Sequence, residues 1–198
     1  MTQAAADFNT AAAGKPDPAE LQEAVKNNDI EAVKDLLARN VDFDNQNKTN
    51  STALMTASWR GHVEIMQLLI DAGASLEKAS KNGYTPLIYA VRGHRTEAVR
   101  LLIENGAIVD QENKKGDTAL SIAKEKQQTA LNNPGNGTSD EVLAEIVEIL
   151  EGAEAIQAAA VEVLEAAKKE RARHAMVVEK QKNLKVNYAK KLRIRPAP

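Results

Sequence analysis

Residues that could carry out catalysis are few and widely spaced in this sequence. Its three histidines, His62, His94 and His174, lack the spacing of metal ligands, and there is no cysteine. No serine or aspartate lies in a nucleophile motif. The segment NPGNG (133–137) lacks the Lys-Ser/Thr that completes a phosphate-binding loop, so we interpret it as a turn. We therefore expect no enzymatic activity, no bound metal and no cofactor.

A second group of chemically distinctive residues is basic and lies at the C-terminal end. Residues 168–198 contain eleven lysines and arginines but two acids, a net charge of +9, whereas residues 1–167 carry −11. The basic residues on which binding to nucleic acid or an anionic membrane would depend are Lys168, Lys169, Arg171, Arg173, Lys190, Lys191, Arg193 and Arg195. A solvated charged helix is the alternative, because Tyr188 is the segment's only aromatic residue for base stacking.

A period of 33 residues organises most of the chain. The segment STALMTASWRGHVEIMQLLIDAGASLEKASKNG (51–83) aligns with YTPLIYAVRGHRTEAVRLLIENGAIVDQENKKG (84–116). The threonine of each unit is typical of a helix N-cap, and Gly61 has the freedom needed to end a helix in a left-handed conformation. Leu68 and Leu69 belong to the apolar stripe of a second helix. Because one helix pair cannot bury both of its faces, we expect neighbouring units to stack.

A 33-residue unit with Thr-Pro-Leu at 85–87 and Gly-His at 61–62 resembles the ankyrin repeat. The resemblance covers roughly residues 17–153 and implies an all-α ankyrin-repeat solenoid of helix–turn–helix–β-turn units, followed by a long C-terminal helix. The implied repeats are 17–49, 50–82, 83–115 and 116–153. His94 stands where the family has glycine, so we expect a distorted helix end there. Asn28 and Asn40 also replace glycine, and asparagine tolerates the left-handed conformation.

The fourth repeat and the two ends depart from the 33-residue period. Extra residues rich in Gly, Pro and Asn predict a loop insertion at about 127–140, between the two helices of that repeat. Gly152 is a possible helix break. Residues 1–16 are expected to be a disordered lead-in, and residues 154–198 a capping helix with a basic tail. The residues expected to cap the open end of the array are Ile156, Val163 and Leu164.

In ankyrin proteins, partners usually contact the turn tips and the ends of the first helices on the concave side. Matched position by position, the resemblance implies these partner-binding residues: Trp59, Arg60, Tyr84, Arg92, Lys81, Asn82, Lys48, Lys114 and Lys115. Trp59 is two residues beyond Ala57, off the buried stripe, and Trp and Arg are enriched at interface hot spots. The alternative is that Trp59 packs on neighbouring helix ends and binds no partner.

These observations predict a non-enzymatic adaptor that binds another protein, and the basic concave surface favours an acidic segment of that protein. The alternative function is nucleic-acid or anionic-lipid binding through the basic tail, with the repeats as a scaffold. The N-terminal residues lack the basic and Leu-rich regions of a signal peptide, so we expect a cytoplasmic, or nuclear, monomer.

Overall fold

A computed structural model of the chain describes the backbone of residues 15–132 and 139–193, and in the second range the side chains of residues 141–173, 175, 176, 179 and 180. Eight helices and no strand lie in these ranges. The helices are α1 (Pro18–Lys26), α2 (Ile30–Ala38), α3 (Ala53–Arg60), α4 (Val63–Asp71), α5 (Pro86–Arg92), α6 (Thr96–Glu104), α7 (Ala119–Asn132) and α8 (Ser139–Arg193). The all-α prediction is confirmed. None of the described helices is long and apolar enough to cross a membrane.

The chain divides into two compact units, Met1–Glu154 and Ala155–Pro198. In the first unit, α1, α3, α5 and α7 form one row of contacting helices, and α2, α4 and α6 form a second row. The start of α8 continues the second row, because Arg100 of α6 forms an ion pair of 2.7 Å with Glu145. Two parallel rows built from successive helix pairs are the predicted solenoid.

The first helix of each of the last three repeats begins at a threonine, as predicted. The Oγ1 atoms of Thr52, Thr85 and Thr118 each accept a hydrogen bond from the backbone N–H of the residue three positions later. The N–O distances are 3.3, 3.3 and 3.2 Å. This bond satisfies an N–H that has no partner within the helix. The recurrence of threonine at 33-residue spacing therefore fixes where these helices start.

Left-handed residues mark the same three points in successive repeats. The nine described residues with positive φ form three sets at 33-residue spacing: Asn28, Gly61 and His94; Asn40, Gly73 and Gly106; Asn50, Gly83 and Gly116. The distortion expected at His94 is therefore wrong, since its φ of 56° lies in the same region as the 77° of Gly61. Histidine and asparagine are among the residues that enter this region more readily than others, so the turn survives both replacements.

Gly93, unlike His94, is needed for close packing and not for a left-handed backbone conformation. Its φ of −82° is open to any residue, but a Cβ at this position would lie 2.4 Å from the carbonyl oxygen of Trp59. Glycine therefore permits the end of α3 to approach the end of α5 closely. This approach positions the candidate site described below.

The core repeats with the same period as the turns. Its central residues are Leu36, Leu69 and Leu102 in the second helices, and Leu54, Leu87, Leu120, Ala57, Ala90 and Ala123 in the first helices. The alanines leave room for neighbouring first helices to pack closely. Equivalent backbone hydrogen bonds of 3.1, 3.0 and 2.9 Å close the turn tips at residues 47–51, 80–84 and 113–117. The tips are joined by bonds from the N–H of Lys81 to the oxygen of Thr49 and from Lys114 to Asn82.

The fourth repeat differs from its prediction. Of the loop expected at 127–140, residues 127–132 continue α7 and residues 139–140 begin α8, so the loop prediction is wrong in both places. Good helix formers such as Gln127, Gln128 and Ala130 explain the extension of α7. Residues 133–138 lie outside the described part of the chain. Gly152 does not break α8, which runs through it.

The residues expected to cap the array do not do so. Ile156, Val163 and Leu164 belong to the second unit and are 72%, 70% and 56% exposed. In the first unit, the start of α8 is instead the second helix of the last repeat, and it packs inward through a buried stripe at helical spacing: Leu143, Ile146, Leu150 and Ala153.

The described part of the second unit is a single helix, the remainder of α8. The side chains of Lys168, Lys169, Arg171 and Arg173 are exposed there. The same helix includes Lys190, Lys191 and Arg193, of which the structure describes the backbone alone. Arg195 lies outside the described residues. Of the expected lead-in, residues 1–14 are likewise outside, whereas Pro16 is buried. The packed array thus begins slightly earlier than residue 17.

Candidate protein-interaction site

A groove of about 420 Å³ lies where the ends of α3 and α5 meet the first two turn tips. Its lining comes from α1, α3 and α5 and from the tip segments 47–51 and 82–84. These elements belong to three successive repeats, so stacking of the repeats creates the groove. We call it the aromatic groove, after the rings of Trp59, Tyr84 and Tyr89 that line it.

The three rings meet edge to face. The centroids of Trp59 and Tyr89 are 6.4 Å apart with an interplanar angle of 86°, and those of Tyr84 and Tyr89 are 5.8 Å apart at 88°. Edge-to-face pairs at this separation are attractive beyond the area they bury. Trp59 nevertheless stays 44% exposed, so its ring lies against Tyr89 on one side and faces solvent on another. The cluster is an ordered apolar surface that water can reach.

Two arginines border these rings. The guanidinium carbon of Arg92 lies 4.4 Å from the ring centroid of Tyr84, within the range of a cation–π contact. Arg60 is exposed beside Trp59. Within the described residues neither arginine forms an ion pair, whereas Lys26, on the same border, pairs with Glu23 at 3.2 Å. The groove therefore combines apolar rings with two guanidinium groups that form no ion pair with a described carboxylate, although the charge of Arg60 acts on Glu23 from a distance.

A chain of hydrogen bonds holds the central tyrosine. Ser51 Oγ lies 3.3 Å from the hydroxyl of Tyr89 and 3.1 Å from Thr49 Oγ1, which donates to Asn47 Oδ1 at 2.7 Å. The backbone oxygen of Ser51 accepts from Gln22 Nε2 at 3.2 Å. Since these bonds link the turn tip 47–51 and α1 to α5, the rings are held in place before any partner arrives.

The structure brings together part of the predicted set. Trp59, Arg60, Tyr84, Asn82 and Arg92 all line the aromatic groove. The other predicted residues are exposed at the turn tips outside its lining: Lys48, Lys81, Lys114 and Lys115. That a partner contacts any of these residues stays a prediction.

Sequence reasoning missed Tyr89, the ring at the centre of the cluster. A signal for it was present, because Tyr89 precedes Arg92 by three residues and such pairs share one face of a helix. The repeat register pointed to the last turn of each first helix, and Tyr89 lies one turn earlier. The contact that identifies it, between Tyr89 and Trp59 of the preceding repeat, is a tertiary one.

Histidines lie beside the groove, at the turns that follow α3 and α5. Burial lowers the pKa of His62, and the charges of Arg60 and Arg95 lower it further. Burial also lowers the pKa of His94, as do Lys126 and Arg95. The Nε2 atom of His62 is buried without a hydrogen-bond partner in the described structure. Both imidazoles are thus held neutral near pH 7. Within the described residues, no group of three His, Asp or Glu side chains could hold a metal ion.

Stacked helix pairs joined by β-turn tips, with an open groove at the ends of the first helices, define a helical repeat solenoid. The family model of ankyrin repeats, in three copies, matches residues 21–113 and 76–132. The chain therefore belongs to the ankyrin-repeat family. A search of curated proteins finds no match to this chain. Ankyrin repeats are generally protein-interaction modules and are typically not enzymes.

Proposed function

We propose that this protein is a non-enzymatic adaptor that binds an acidic segment of another protein in the aromatic groove. The observation that carries the proposal is the groove's composition, three ordered rings beside two arginines that lack ion-pair partners among the described residues. Aromatic and arginine side chains supply most of the energy at protein interfaces. Because the rings are already ordered, little conformational entropy is lost on binding.

The charges favour an acidic partner. Arg60 and Arg92 flank the rings, and a guanidinium group binds a carboxylate through two parallel hydrogen bonds. An acidic segment with an apolar side chain would therefore satisfy both features, with its carboxylates on the arginines and its apolar group on Trp59 and Tyr89. A purely apolar segment would leave the arginines to be desolvated without compensation.

The chain contains a natural fluorescent probe of binding in the aromatic groove. Trp59 is the only tryptophan, so tryptophan emission from the full-length protein reports on the aromatic groove. Peptides selected from a display library against the full chain should be rich in Asp or Glu around one apolar residue. Their binding should shift or quench the emission of Trp59. Selected peptides that bind tightly without changing this emission would show that the main binding surface lies elsewhere.

Substitution tests the contribution of individual groove residues. The double variant Trp59→Ala with Arg60→Ala should weaken peptide binding by about 2–4 kcal/mol, roughly 30- to 1000-fold, in calorimetric titration. The matched control is Ile108→Ala with Lys34→Ala, which removes an exposed apolar residue and an exposed lysine away from the groove. The control should retain wild-type affinity, and so should Lys81→Ala if the turn tips contribute little. Wild-type affinity in the groove variant would overturn the proposal.

The second candidate is binding of nucleic acid or an anionic membrane through the basic tail. It draws on the exposed Lys169, Arg171 and Arg173 of α8, which form no ion pair among the described residues, whereas Lys168 pairs with Glu165 at 2.8 Å. Deleting residues 168–198 separates the two functions. A groove-binding adaptor keeps its peptide affinity after this deletion. Binding of duplex DNA or phosphatidylserine vesicles that is lost with the tail, and that falls steeply with salt, would favour the second candidate.

A further inference from the structure

Beside the aromatic groove, cationic side chains from two repeats meet at the turn after α5. His94 occupies a left-handed position in this turn, and its Nε2 lies 3.2 Å from Nζ of Lys126 on α7. Arg95 follows it in the chain and donates from Nε to the carbonyl oxygen of Trp59 at 3.2 Å. Arg92 ends α5 and acts electrostatically on Lys126. We call these four residues the cationic turn.

Among the described residues, no acid forms an ion pair with the cationic turn. Elsewhere in the first unit, cations pair across repeats, as Lys78 does with Asp44 at 3.4 Å and Arg100 with Glu145 at 2.7 Å. None of the four residues of the cationic turn forms an ion pair with a described residue. Burial lowers the pKa of Lys126, and Arg92 lowers it further, opposed only by Glu125. Partly buried like charges without a counterion are unfavourable, so an anion bound here would stabilise the arrangement.

The number of unused hydrogen-bond donors indicates the kind of anion that would fit. An ammonium group has no acceptor, so Lys126 must donate to His94 Nε2, and the imidazole therefore carries its proton on Nδ1. The other two N–H groups of Lys126 have no acceptor among the described residues. Arg95 uses only Nε within the described structure, which leaves the four N–H groups of its two terminal nitrogens. Donors in this number exceed what one carboxylate accepts, and they suit a group with three oxygens and close to two negative charges.

We propose that the cationic turn, formed by Arg92, His94, Arg95 and Lys126, is a binding site for a phosphoryl group. This proposal rests on the proposed function, because the phosphoryl group would belong to a residue next to the acidic segment. That residue would reach from the aromatic groove to the cationic turn. A free phosphate-bearing molecule would present the same chemistry. The two sources are separated by experiment.

The state of His94 changes when the phosphoryl group binds. The groups that face it are Lys126 from α7 and Arg95 at the start of α6, with Arg92 of α5 and Glu125 acting through Lys126. A bound dianion offsets these positive charges, so the imidazole gains a proton more readily. Protonation of Nε2 ends its bond from Lys126 and leaves both groups free to donate to the anion. Binding of a dianion and protonation of His94 therefore strengthen each other.

The test follows the imidazole resonances of the full-length chain by NMR at constant ionic strength, with His94→Asn to assign His94. Asparagine is suitable because Asn28 adopts the same left-handed conformation. The probes are inorganic phosphate, N-acetyl-phosphoserine amide and, as the carboxylate control, N-acetyl-aspartate amide. We expect saturable shifts with both phosphoryl probes and about tenfold weaker binding of the aspartate probe. Tighter binding of the phosphoserine probe than of phosphate identifies a phosphorylated residue as the source, and equal binding a free phosphate.

Two lysines on α7 provide a matched pair of variants. Lys126→Gln should weaken phosphoryl binding about tenfold or more, whereas Lys124→Gln, which removes the lysine paired with Glu151, should leave it unchanged. Arg92→Gln serves as a second variant if Lys126→Gln folds poorly by circular dichroism. Sulfate, a dianion over the whole pH range, should raise the pKa of His94 more than that of His62. Shifts that do not saturate, or that are equal in the two lysine variants, would overturn the site.

The phosphoryl site and the proposed function can fail separately. Trp59→Ala removes the principal ring of the aromatic groove and should leave phosphate binding to the cationic turn within about twofold of wild type. If peptides bind the groove but phosphate does not bind the turn, the site is wrong and the adaptor function stands. If phosphate binds but peptides do not, the reverse holds.

Discussion

A single added methyl group at Gly93 should destabilise the repeat array. In Gly93→Ala the new Cβ would lie 2.4 Å from the carbonyl oxygen and 3.2 Å from the carbonyl carbon of Trp59. An ordinary contact requires about 1 Å more between the Cβ and the oxygen, and the obstacle is backbone, which no rotamer change can move away. The ends of α3 and α5 must therefore separate, although Ala57 and Ala90 hold these helices in close contact.

The expected cost is the balance of two terms. Overpacking a well-packed contact costs about 1–3 kcal/mol. The φ of Gly93 suits alanine, so the loss of chain flexibility in the unfolded state returns about 0.4–1 kcal/mol. We expect the free energy of unfolding to decrease by about 1–2 kcal/mol, measured by urea denaturation with circular dichroism. The tryptophan emission should shift as well, because the displaced carbonyl belongs to Trp59.

Gly152→Ala is the matched control, since it adds the same methyl group where nothing lies within 4 Å, inside α8. It should raise the free energy of unfolding by about 0.5–1 kcal/mol, because alanine is favoured over glycine within helices. Opposite signs for the two substitutions would support the close approach at Gly93. If Gly93→Ala were as stable as wild type, the contact between α3 and α5 would be looser than described.

Two further predictions concern the helix caps and the histidines. Thr85→Ala removes the hydroxyl that accepts from the N–H of Ile88, and should lower the free energy of unfolding by about 0.5–2 kcal/mol, whereas Thr85→Ser should retain most of it. Because the pKa values of His62 and His94 are lowered in the folded chain, the unfolded chain binds protons more readily. The stability that the neutral imidazoles contribute is therefore fully present above about pH 6.5, and it is lost as the pH falls through the pKa values of the folded chain. His94→Asn should make this fall shallower in denaturation curves at pH 7.5 and 5.5. An unchanged slope would show that His94 titrates normally.

The positions of the repeats follow from sequence because their determinants are local. A threonine cap, a left-handed residue at the end of each helix and an apolar stripe recur every 33 residues, and each acts on its own helix or turn. The period therefore predicted α1 to α6 and the rows they form. The local sequence pattern failed at residues 127–132 and 139–140, which are helical, and at Gly152, where one glycine costs less than the packing of α8 contributes. It failed also at Ile156, because apolar spacing shows a helical face but not whether anything covers it.

For the candidate site, the sequence determined which residues the repeat leaves free, and only the tertiary structure decided which of them meet. The register placed Trp59, Tyr84 and Arg92 outside the buried stripe, and the structure gathers them into one groove. Tyr89 joins them only because α5 packs against α3, a contact that Gly93 permits. His94 and Lys126 are 32 residues apart in the chain yet 3.2 Å apart in space. Pairing between repeats depends on how two helices stack, and no residue specifies that by itself.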